Sequence, residues 1–284
     1  MERKALIDML NRDLTDEHAA VVRYLIHSYQ EGEDTPVGAG LLSRCREEMW
    51  HMHWLGMIIG ELGGEPDFSI GPYPFDPTSR ETMLQSYIKY EGNLIPHYNA
   101  EAEKVDDPHI RRVLRREAWE SAVHALRFQR LIEKLSPEER NALPEGDHEM
   151  PASFVEKLQD ELLKKYTEML QHIRTSWVFQ NENTVGWRIM DQAMEKMKHL
   201  AIFAEALAED GAALNFKAGS INMSRAIGEA FQRAVADLQA GGERYRALQK
   251  DKELLKHSGI VLKMDLAVQQ IDYQKEEITD WMKK

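Results

Sequence analysis

Apolar side chains recur along this chain at intervals of three and four residues, the spacing typical of helices with one buried face. In the first half this pattern predicts four helices, over residues 4–31, 38–62, 79–104 and 108–134. A long connection with three prolines, residues 69–78, separates the second helix from the third. The pattern then restarts and predicts four more helices, over residues 153–180, 186–209, 223–250 and 252–282. We therefore predict an all-α protein of two four-helix bundles, each with a crossover between its second and third helices.

A polar stretch with three prolines, residues 137–151, lies between the two groups of helices, and we interpret it as a linker. The predicted domains are residues 1–136 and residues 152–284. The two halves are also similar in sequence, since an offset of 148 residues aligns His51 with His199. The order and lengths of the helices recur with this offset, which favours an internal duplication.

Charge and composition exclude several classes of partner. The formal net charge is -12, so no basic surface is available to displace counterions from phosphates, and we expect no nucleic-acid partner. No apolar run approaches the roughly 20 residues that cross a bilayer, and the charged N-terminal segment lacks the apolar core of a secretory signal. The single cysteine, Cys45, has no partner for an intramolecular disulfide. We therefore expect a cytoplasmic protein, a monomer or a homodimer, that binds no membrane.

Acidic residues and a histidine fall on the predicted inner faces of the first three helices. Glu48 and His51 are three residues apart, so one helical turn places both on the same face. Glu17 on the first helix and Glu91 on the third are the matching acids of the neighbouring helices. One carboxylate from each of two helices and a Glu-x-x-His pair from another make up three quarters of a carboxylate-bridged two-metal site.

The fourth helix lacks a second Glu-x-x-His pair. Glu117, Glu120 and His124 nevertheless share one face at three- and four-residue spacing. Because helices three and four are antiparallel around a turn near residues 106–107, equal rise places Glu91 level with the stretch between Glu120 and His124. We therefore predict Glu120 and His124 as ligands. Glu117 lies about 7 Å farther along the helix and is either an alternative ligand or a hydrogen-bond partner of one.

The predicted ligands come from all four helices of the first bundle. They are Glu17, Glu48, His51, Glu91, Glu120 and His124. In this hypothesis Glu48 and Glu120 bridge two metal ions, and each histidine supplies one nitrogen to one ion. Tyr24 and Tyr98 follow Glu17 and Glu91 by seven residues, and we expect their hydroxyls to donate hydrogen bonds to metal-bound carboxylates on neighbouring helices.

The second bundle retains little of this set. At the offset of 148 residues, the positions of Glu48, Glu91 and His51 hold Lys196, Gln239 and His199. Glu168 is the nearest equivalent of Glu17. A lysine in place of a bridging carboxylate would repel a cation, and its ammonium group could fill the cavity. We therefore expect the second bundle to bind no metal and to have a structural role.

Over residues 10–24 and 48–62 the chain resembles bacterioferritin and the wider ferritin-like diiron superfamily, which includes rubrerythrin. The run Glu48-Met49-Trp50-His51 is similar to the Glu-Met-x-His of that family's second helix. The resemblance implies two tandem ferritin-like bundles and a non-haem site of two iron ions, with manganese or zinc as other candidates. It also implies oxidation of ferrous iron by dioxygen or peroxide. No haem is expected, and no Cys-x-x-Cys pair supplies the rubredoxin-like electron entry of typical rubrerythrins.

Three functions are therefore open at this point. The first is an oxidoreductase, either a ferroxidase or an enzyme that turns over peroxide or dioxygen. The second is a metal-free or degenerate ferritin-like protein with a structural or stress-associated role, which the missing Glu-x-x-His pair on the fourth helix favours. The third is a diiron oxygenase that acts on an organic substrate, which would need an apolar pocket beside the metal site.

Overall fold

The computed structural model describes residues 1–182 and 185–283, and in these residues the secondary structure is helical, which confirms the all-α prediction. The chain separates into two compact units, residues 1–145 and residues 146–284. The boundary lies inside the stretch that the sequence suggests as a linker. No helix within the described ranges has the length and apolarity needed to cross a membrane.

The first unit contains four long helices and a short one. These are α1 (Arg3–Glu31), α2 (Pro36–Glu61), α3 (Arg80–Ala102), α4 (Pro108–Lys134) and α5 (Pro137–Asn141). α1 packs against α2 and α3 against α4 as antiparallel pairs, and α2 also contacts α4. The short α5 was not expected from the sequence. It begins with a capping box in which Ser136 and Glu139 bond each other's backbone N–H groups, and this local arrangement orders part of the expected linker.

Local signals set the ends of these helices. The Thr35 side chain accepts a hydrogen bond from the Gly38 N–H, and the Asp107 side chain accepts from two N–H groups at the start of α4. Gly63, which follows α2, has a φ of 70°, a conformation that favours glycine. These caps fix where each helix begins and ends, and so they fix the height of the inward-facing residues.

The crossover from α2 to α3 runs along α1. The Asn11 side chain donates to the Glu65 carbonyl and accepts from the Asp67 N–H, and the Gly71 N–H donates to the Thr15 carbonyl at 3.0 Å. These contacts bring Tyr73 inward, where its hydroxyl donates to the Tyr24 hydroxyl at 2.8 Å. The crossover therefore covers the buried polar centre of the first unit.

The second unit repeats the antiparallel pairing. Its helices are α6 (Ala152–Val178), α7 (Val185–Glu209), α8 (Ile227–Leu248) and α9 (Ser258–Trp281), with a 3₁₀ turn at Leu254–Lys256. α6 pairs with α7 and α8 with α9. The last helix begins at Ser258 and not at residue 252 as predicted, because the 3₁₀ turn takes up the residues before it.

Candidate metal centre

Five buried side chains from α1, α2, α3 and α4 converge inside the first unit. They form two groups that share Glu48, namely Glu17, Glu48 and His51, and Glu48, Glu91 and His124. In each group, one donor atom from every residue lies within 4.8 Å of the others. These buried glutamate and histidine groups could hold metal ions.

Helix geometry explains the convergence. α1 and α2 are antiparallel around the turn at residues 32–35, so equal rise places Glu17 beside Glu48 and His51. His51 follows Glu48 by less than one full turn, and both side chains therefore point to the same side of α2. α3 and α4 bring Glu91 and His124 to the same height from the opposite side.

Glu48 is the centre of the arrangement. Its Oε2 lies 2.7 Å from Nδ1 of His51, and its Oε1 lies 2.7 Å from Nδ1 of His124. The two imidazole rings are nearly parallel, with centroids 5.9 Å apart. Glu17 Oε2 lies 3.3 Å from the His51 nitrogen, and Glu91 Oε1 lies 3.5 Å from the His124 nitrogen. Each oxygen of Glu48 therefore belongs to a separate triad of donors.

These donors fit a metal ion better than they fit one another. Across the described part of the chain, Oε2 of Glu91 is buried without a hydrogen-bond partner, and Oε1 of Glu48 and Nδ1 of His124, although 2.7 Å apart, do not have the alignment of a hydrogen bond. Burying such groups unpaired costs several kcal/mol each, about 2–7 kcal/mol even for a neutral group. Donors at about 2.1 Å from one ion lie about 3 Å apart, which is the range of the contacts around Glu48. The observed donor set thus matches carboxylate and imidazole coordination.

Both histidines are held from behind by a carboxylate. Nε2 of His51 donates to Oε2 of Glu120 at 2.7 Å, and Nε2 of His124 donates to Oε2 of Glu47 at 2.7 Å. Because each outer nitrogen carries the donated hydrogen, each Nδ1 is directed to the centre as a ligand atom. Arg116 in turn donates to Glu120, at 2.9 Å.

The positions of Glu120 and Glu47 differ from the expectation from sequence. Glu120 was predicted to bridge two ions, but its carboxylate lies on the far side of the His51 ring from Glu48 and belongs to neither triad. Helical rise gives the height of Glu120 along α4 correctly, but the side chain lies at the edge of the inward-facing side of α4 and not at its centre. Glu47 was not identified from the sequence, because only the packing of α4 against α2 brings it to His124.

Two tyrosines link the triads across α1 and α3. The Tyr24 hydroxyl on α1 donates to Oε1 of Glu91 on α3 at 2.5 Å. The Tyr98 hydroxyl on α3 donates to Oε1 of Glu17 on α1. Each tyrosine thus orients the carboxylate of the opposite helix. The other oxygen of Glu17 faces His51, whereas Oε1 of Glu91 both accepts from Tyr24 and lies nearest to His124.

Glu117 is buried beside the centre but lies in neither triad. Neither of its carboxyl oxygens has a hydrogen-bond partner in the described residues. Burial raises the pKa of Glu117 well above its usual range, which favours the protonated carboxyl. Ser121, also buried, stands three residues before His124, where a Glu-x-x-His pair would have its glutamate. The fourth helix therefore presents Ser-x-x-His to the centre.

Without a metal ion, protons balance the charges of the centre. Burial and the Glu48 charge raise the pKa of Glu17 to about 8 and also raise the pKa of Glu91. Burial disfavours charge on Glu48 as well, but His124 and His51 hold its pKa well below the usual range. Burial disfavours the charged imidazole, yet Glu48 and its neighbours raise the pKa of His124 to about 12. A metal ion must displace these protons to bind.

The corresponding place in the second unit holds ammonium groups. Lys165 and Lys196 are fully buried, and their Nζ atoms lie 2.6 Å and 3.6 Å from Oε2 of Glu168. Arg244 donates to the other oxygen of Glu168 at 2.9 Å. His199 is retained, and Gln270 accepts from its Nε2 at 2.8 Å. The second unit therefore neutralises its buried carboxylate with its own cations.

One predicted equivalence in the second unit was wrong. Gln239 was aligned with Glu91, but Gln239 is exposed and donates to Glu243 on its own helix. The inward-facing residue is the preceding one, Leu238, which is fully buried. The offset between the units is thus one residue shorter on α8 than on α6 and α7, because the crossovers differ in length.

Comparison of the chain with protein-family models gives no match, and a search of curated proteins gives none either. What bears on function is therefore the structure of the chain. The described residues are all-helical in their secondary structure, and the first unit buries glutamate and histidine groups that could hold metal ions.

Proposed function

We propose that the first unit is a ferritin-like four-helix bundle that holds two metal ions, iron or manganese, and carries out redox chemistry on dioxygen or peroxide. The observation that carries the proposal is the position of Glu48, whose two oxygens each lie 2.7 Å from a different inward-facing histidine nitrogen. Each triad is completed by a glutamate that accepts a hydrogen bond from a tyrosine, Glu17 in one triad and Glu91 in the other. Such a set of bridging carboxylate, terminal carboxylates and one imidazole per ion suits a dinuclear centre.

In this proposal one ion is held by Glu17, Glu48 and His51, and the other by Glu48, Glu91 and His124. Hard carboxylate oxygens with one imidazole each favour iron and manganese. When bound, either metal would supply one-electron redox chemistry at this centre. Zinc would fit the same donors but is not redox-active.

The protein's own groups position the ligands and hold protons. Glu120 and Glu47 fix the two imidazoles with Nδ1 inward, and the tyrosine hydroxyls orient the terminal carboxylates. Burial favours the protonated carboxyl of Glu117, which would hold a proton next to the centre for acid–base steps of the redox chemistry. Glu120 is therefore a positioning residue in this proposal and not a metal ligand.

The second unit is proposed to be a second ferritin-like bundle that has lost its metal site. Lys165 and Lys196 occupy the space between the helices where carboxylates stand in the first unit. In their contacts with Glu168, the buried ammonium groups balance the carboxylate charge without a metal ion. Its role is then structural, and the redox chemistry belongs to the first unit.

Metal content and ferrous oxidation test the proposal directly. Purified without chelator or reconstituted anaerobically with ferrous iron, the chain should bind about two ions at this centre and oxidise ferrous iron when dioxygen or peroxide is added. Glu48→Ala should lose the two ions of this centre and the oxidation of ferrous iron. Glu133→Gln removes the same charge at an exposed site on α4 and should retain both. Trace metal in the wild type after reconstitution, or equal metal in Glu48→Ala, would contradict the proposal and favour a metal-free structural protein.

A cavity between α2 and α4, none of whose lining residues is a proposed ligand, favours a second candidate, oxidation of an organic substrate. The cavity measures about 260 Å³ and is lined by Gly40, Phe128 and Leu131 together with Arg44, Arg127, Arg130 and Lys134. Arg44 and Arg127 also donate to Glu47, the carboxylate behind His124. Apolar walls with cationic groups suit a small apolar acid.

The Leu131→Trp substitution separates the two candidates, because it fills this cavity without touching either triad. A ferroxidase would keep its rate in this variant. An oxygenase would bind its apolar acid weakly in the variant while still binding two ions. Unchanged binding of short-chain carboxylic acids to Leu131→Trp, measured by calorimetry, would remove the second candidate.

A further inference from the structure

A third group of metal-binding side chains lies on α1 and α3, outside the two triads. Asp13 stands about one helical turn before Glu17, and His97 and Glu101 stand one turn apart near the end of α3. Nε2 of His97 lies 2.9 Å from Oδ1 of Asp13 and 3.5 Å from Oε2 of Glu101. One donor atom from each residue lies within 4.8 Å of the other two.

The two acids of this group are buried and incompletely paired. Asp13 is 0% exposed and Glu101 is 4% exposed. Within the described parts of the chain, Oδ2 of Asp13 and Oε2 of Glu101 are buried without a hydrogen-bond partner. The nearest other cation, the Arg12 guanidinium, is largely exposed and lies 4.0 Å from Glu101. Two buried carboxylates therefore have one half-exposed imidazole as their main counter-charge.

The group has the electrostatics of a cation site. Burial and the nearby Asp13 carboxylate raise the pKa of Glu101 to about 8. The Asp13 carboxylate also raises the pKa of His97, despite partial burial of the ring. A divalent ion would replace the proton on His97 and relieve the repulsion between the acids. Two carboxylates and one imidazole are a donor set that divalent transition metals accept.

We propose that Asp13, His97 and Glu101 form a separate mononuclear site for a divalent transition-metal ion, reached from solvent at His97. The side chain of His97 is 39% exposed, so an ion can reach this site without opening the bundle. It shares no residue with the dinuclear centre proposed above. Three protein donors leave coordination positions for water, so the bound ion remains exchangeable.

Manganese(II) binding to the full-length chain tests this site, by calorimetry and by the electron paramagnetic resonance signal of an isolated ion. The double variant Glu48→Ala/His51→Ala removes the inner centre and leaves the outer group unchanged. It should still bind about one manganese ion per chain, with the spectrum of a single uncoupled ion. Adding His97→Ala to this variant should abolish that binding. His109→Ala, at an exposed histidine of α4, is the matched control and should leave it unchanged.

The near-isosteric Asp13→Asn substitution gives a second, independent reading in the same background, because it retains volume and removes one charge. It should weaken manganese binding as His97→Ala does, with an unchanged helical circular dichroism spectrum. The proposal is overturned if the double variant binds no manganese, or if its binding is the same with and without His97→Ala. Wild-type chain that binds only one ion, lost in His97→Ala, would support the outer site while refuting the dinuclear centre.

Discussion

The two units bury charge at the same height of their first two helices, with opposite sign. At the offset of 148 residues, Glu17 and Glu48 of the first unit correspond to Lys165 and Lys196 of the second. The first unit gathers three carboxylates around two imidazoles. The second places two ammonium groups on Glu168. A buried polar centre can thus be balanced within the chain, or it can be left with anionic donors that a metal cation would balance.

The retained histidines show how far this difference extends. His51 and His199 are both buried, and Nε2 of each forms a hydrogen bond with a side chain of the last long helix of its unit, α4 or α9. Burial opposes charge on both rings, but Glu17 and Glu48 raise the pKa of His51 well above its usual range. Burial, followed by the Lys165 charge, lowers the pKa of His199 to about 4. Because burial lowers the pKa of both rings, the neighbouring charges and hydrogen-bond partners account for the opposite directions of the two shifts.

Converting the first centre to the charge of the second should have the largest effect. Glu48→Lys places an ammonium group where Lys196 stands in the second unit, and it should abolish metal binding at the dinuclear centre because it removes the shared ligand and repels cations. The fold should survive, since Glu17 and Glu91 can pair with the new cation. Metal content and circular dichroism measure the two effects. Glu133→Lys, an equal charge change on the exposed face of α4, should bind metal like the wild type.

Sequence reasoning and structure agree best where one helix decides the outcome. The heights of Glu17, Glu48, His51, Glu91 and His124 follow from helical rise, and the structure brings these five together. The direction of a side chain around the helix axis follows less directly from the sequence than its height along the axis. Buried positions Glu117, Ser121 and His124 define the inner stripe of α4, and Glu120 stands at its edge.

Contacts between residues that are far apart in the sequence and meet only through helix packing could not be predicted from the sequence. Glu47 reaches His124 across 77 positions of the chain, and Asp13 reaches His97 across 84. No local spacing marks such pairs, because their separation depends on how α2 and α4, or α1 and α3, are packed. Lys165 is different, because the sequence alone points to it. The offset of 148 residues leads from Glu17 to Lys165, three residues before Glu168.

Breaking the internal balance of the second unit should cost the next largest amount. Glu168→Gln leaves Lys165 and Lys196 buried without their carboxylate, and loss of one partner of a buried pair costs about 3–5 kcal/mol. Denaturant unfolding of the variant should show this loss, while metal content remains that of the wild type. Asp272→Asn removes a carboxylate paired with Arg246 at the surface and should change stability by less than about 1 kcal/mol. Equal losses in both variants would mean that Glu168 does not balance the two lysines.

The pH dependence of stability should reveal the neutral histidine of the second unit. The folded-state pKa of His199 is about 4, below the usual histidine pKa of 6.5, so between these two pH values the unfolded chain binds a proton that the folded chain does not. This residue's contribution is therefore fully present above pH 6.5 and is lost as the pH falls towards 4, by about 3 kcal/mol. His199→Gln should reduce the loss of stability between pH 7 and pH 4 by that amount. His109→Gln, at the surface, serves as the control, and an identical pH profile for His199→Gln would rule out a neutral buried ring.

The smallest effect is expected when the acceptor of the His51 hydrogen bond is made to resemble its counterpart in the second unit. Glu120 accepts from Nε2 of His51, whereas the neutral Gln270 accepts from Nε2 of His199. Glu120→Gln keeps the hydrogen bond and removes the charge, so the imidazole becomes a weaker base and metal affinity should fall about 10- to 100-fold, with the number of ions unchanged. If Glu120 were instead a bridging ligand, the same substitution would lower the number of ions bound at saturation. Arg116→Gln, which removes a partner of Glu120 but not its charge, should weaken binding less. Competition titration with a chromophoric chelator therefore distinguishes a positioning carboxylate from a coordinating one.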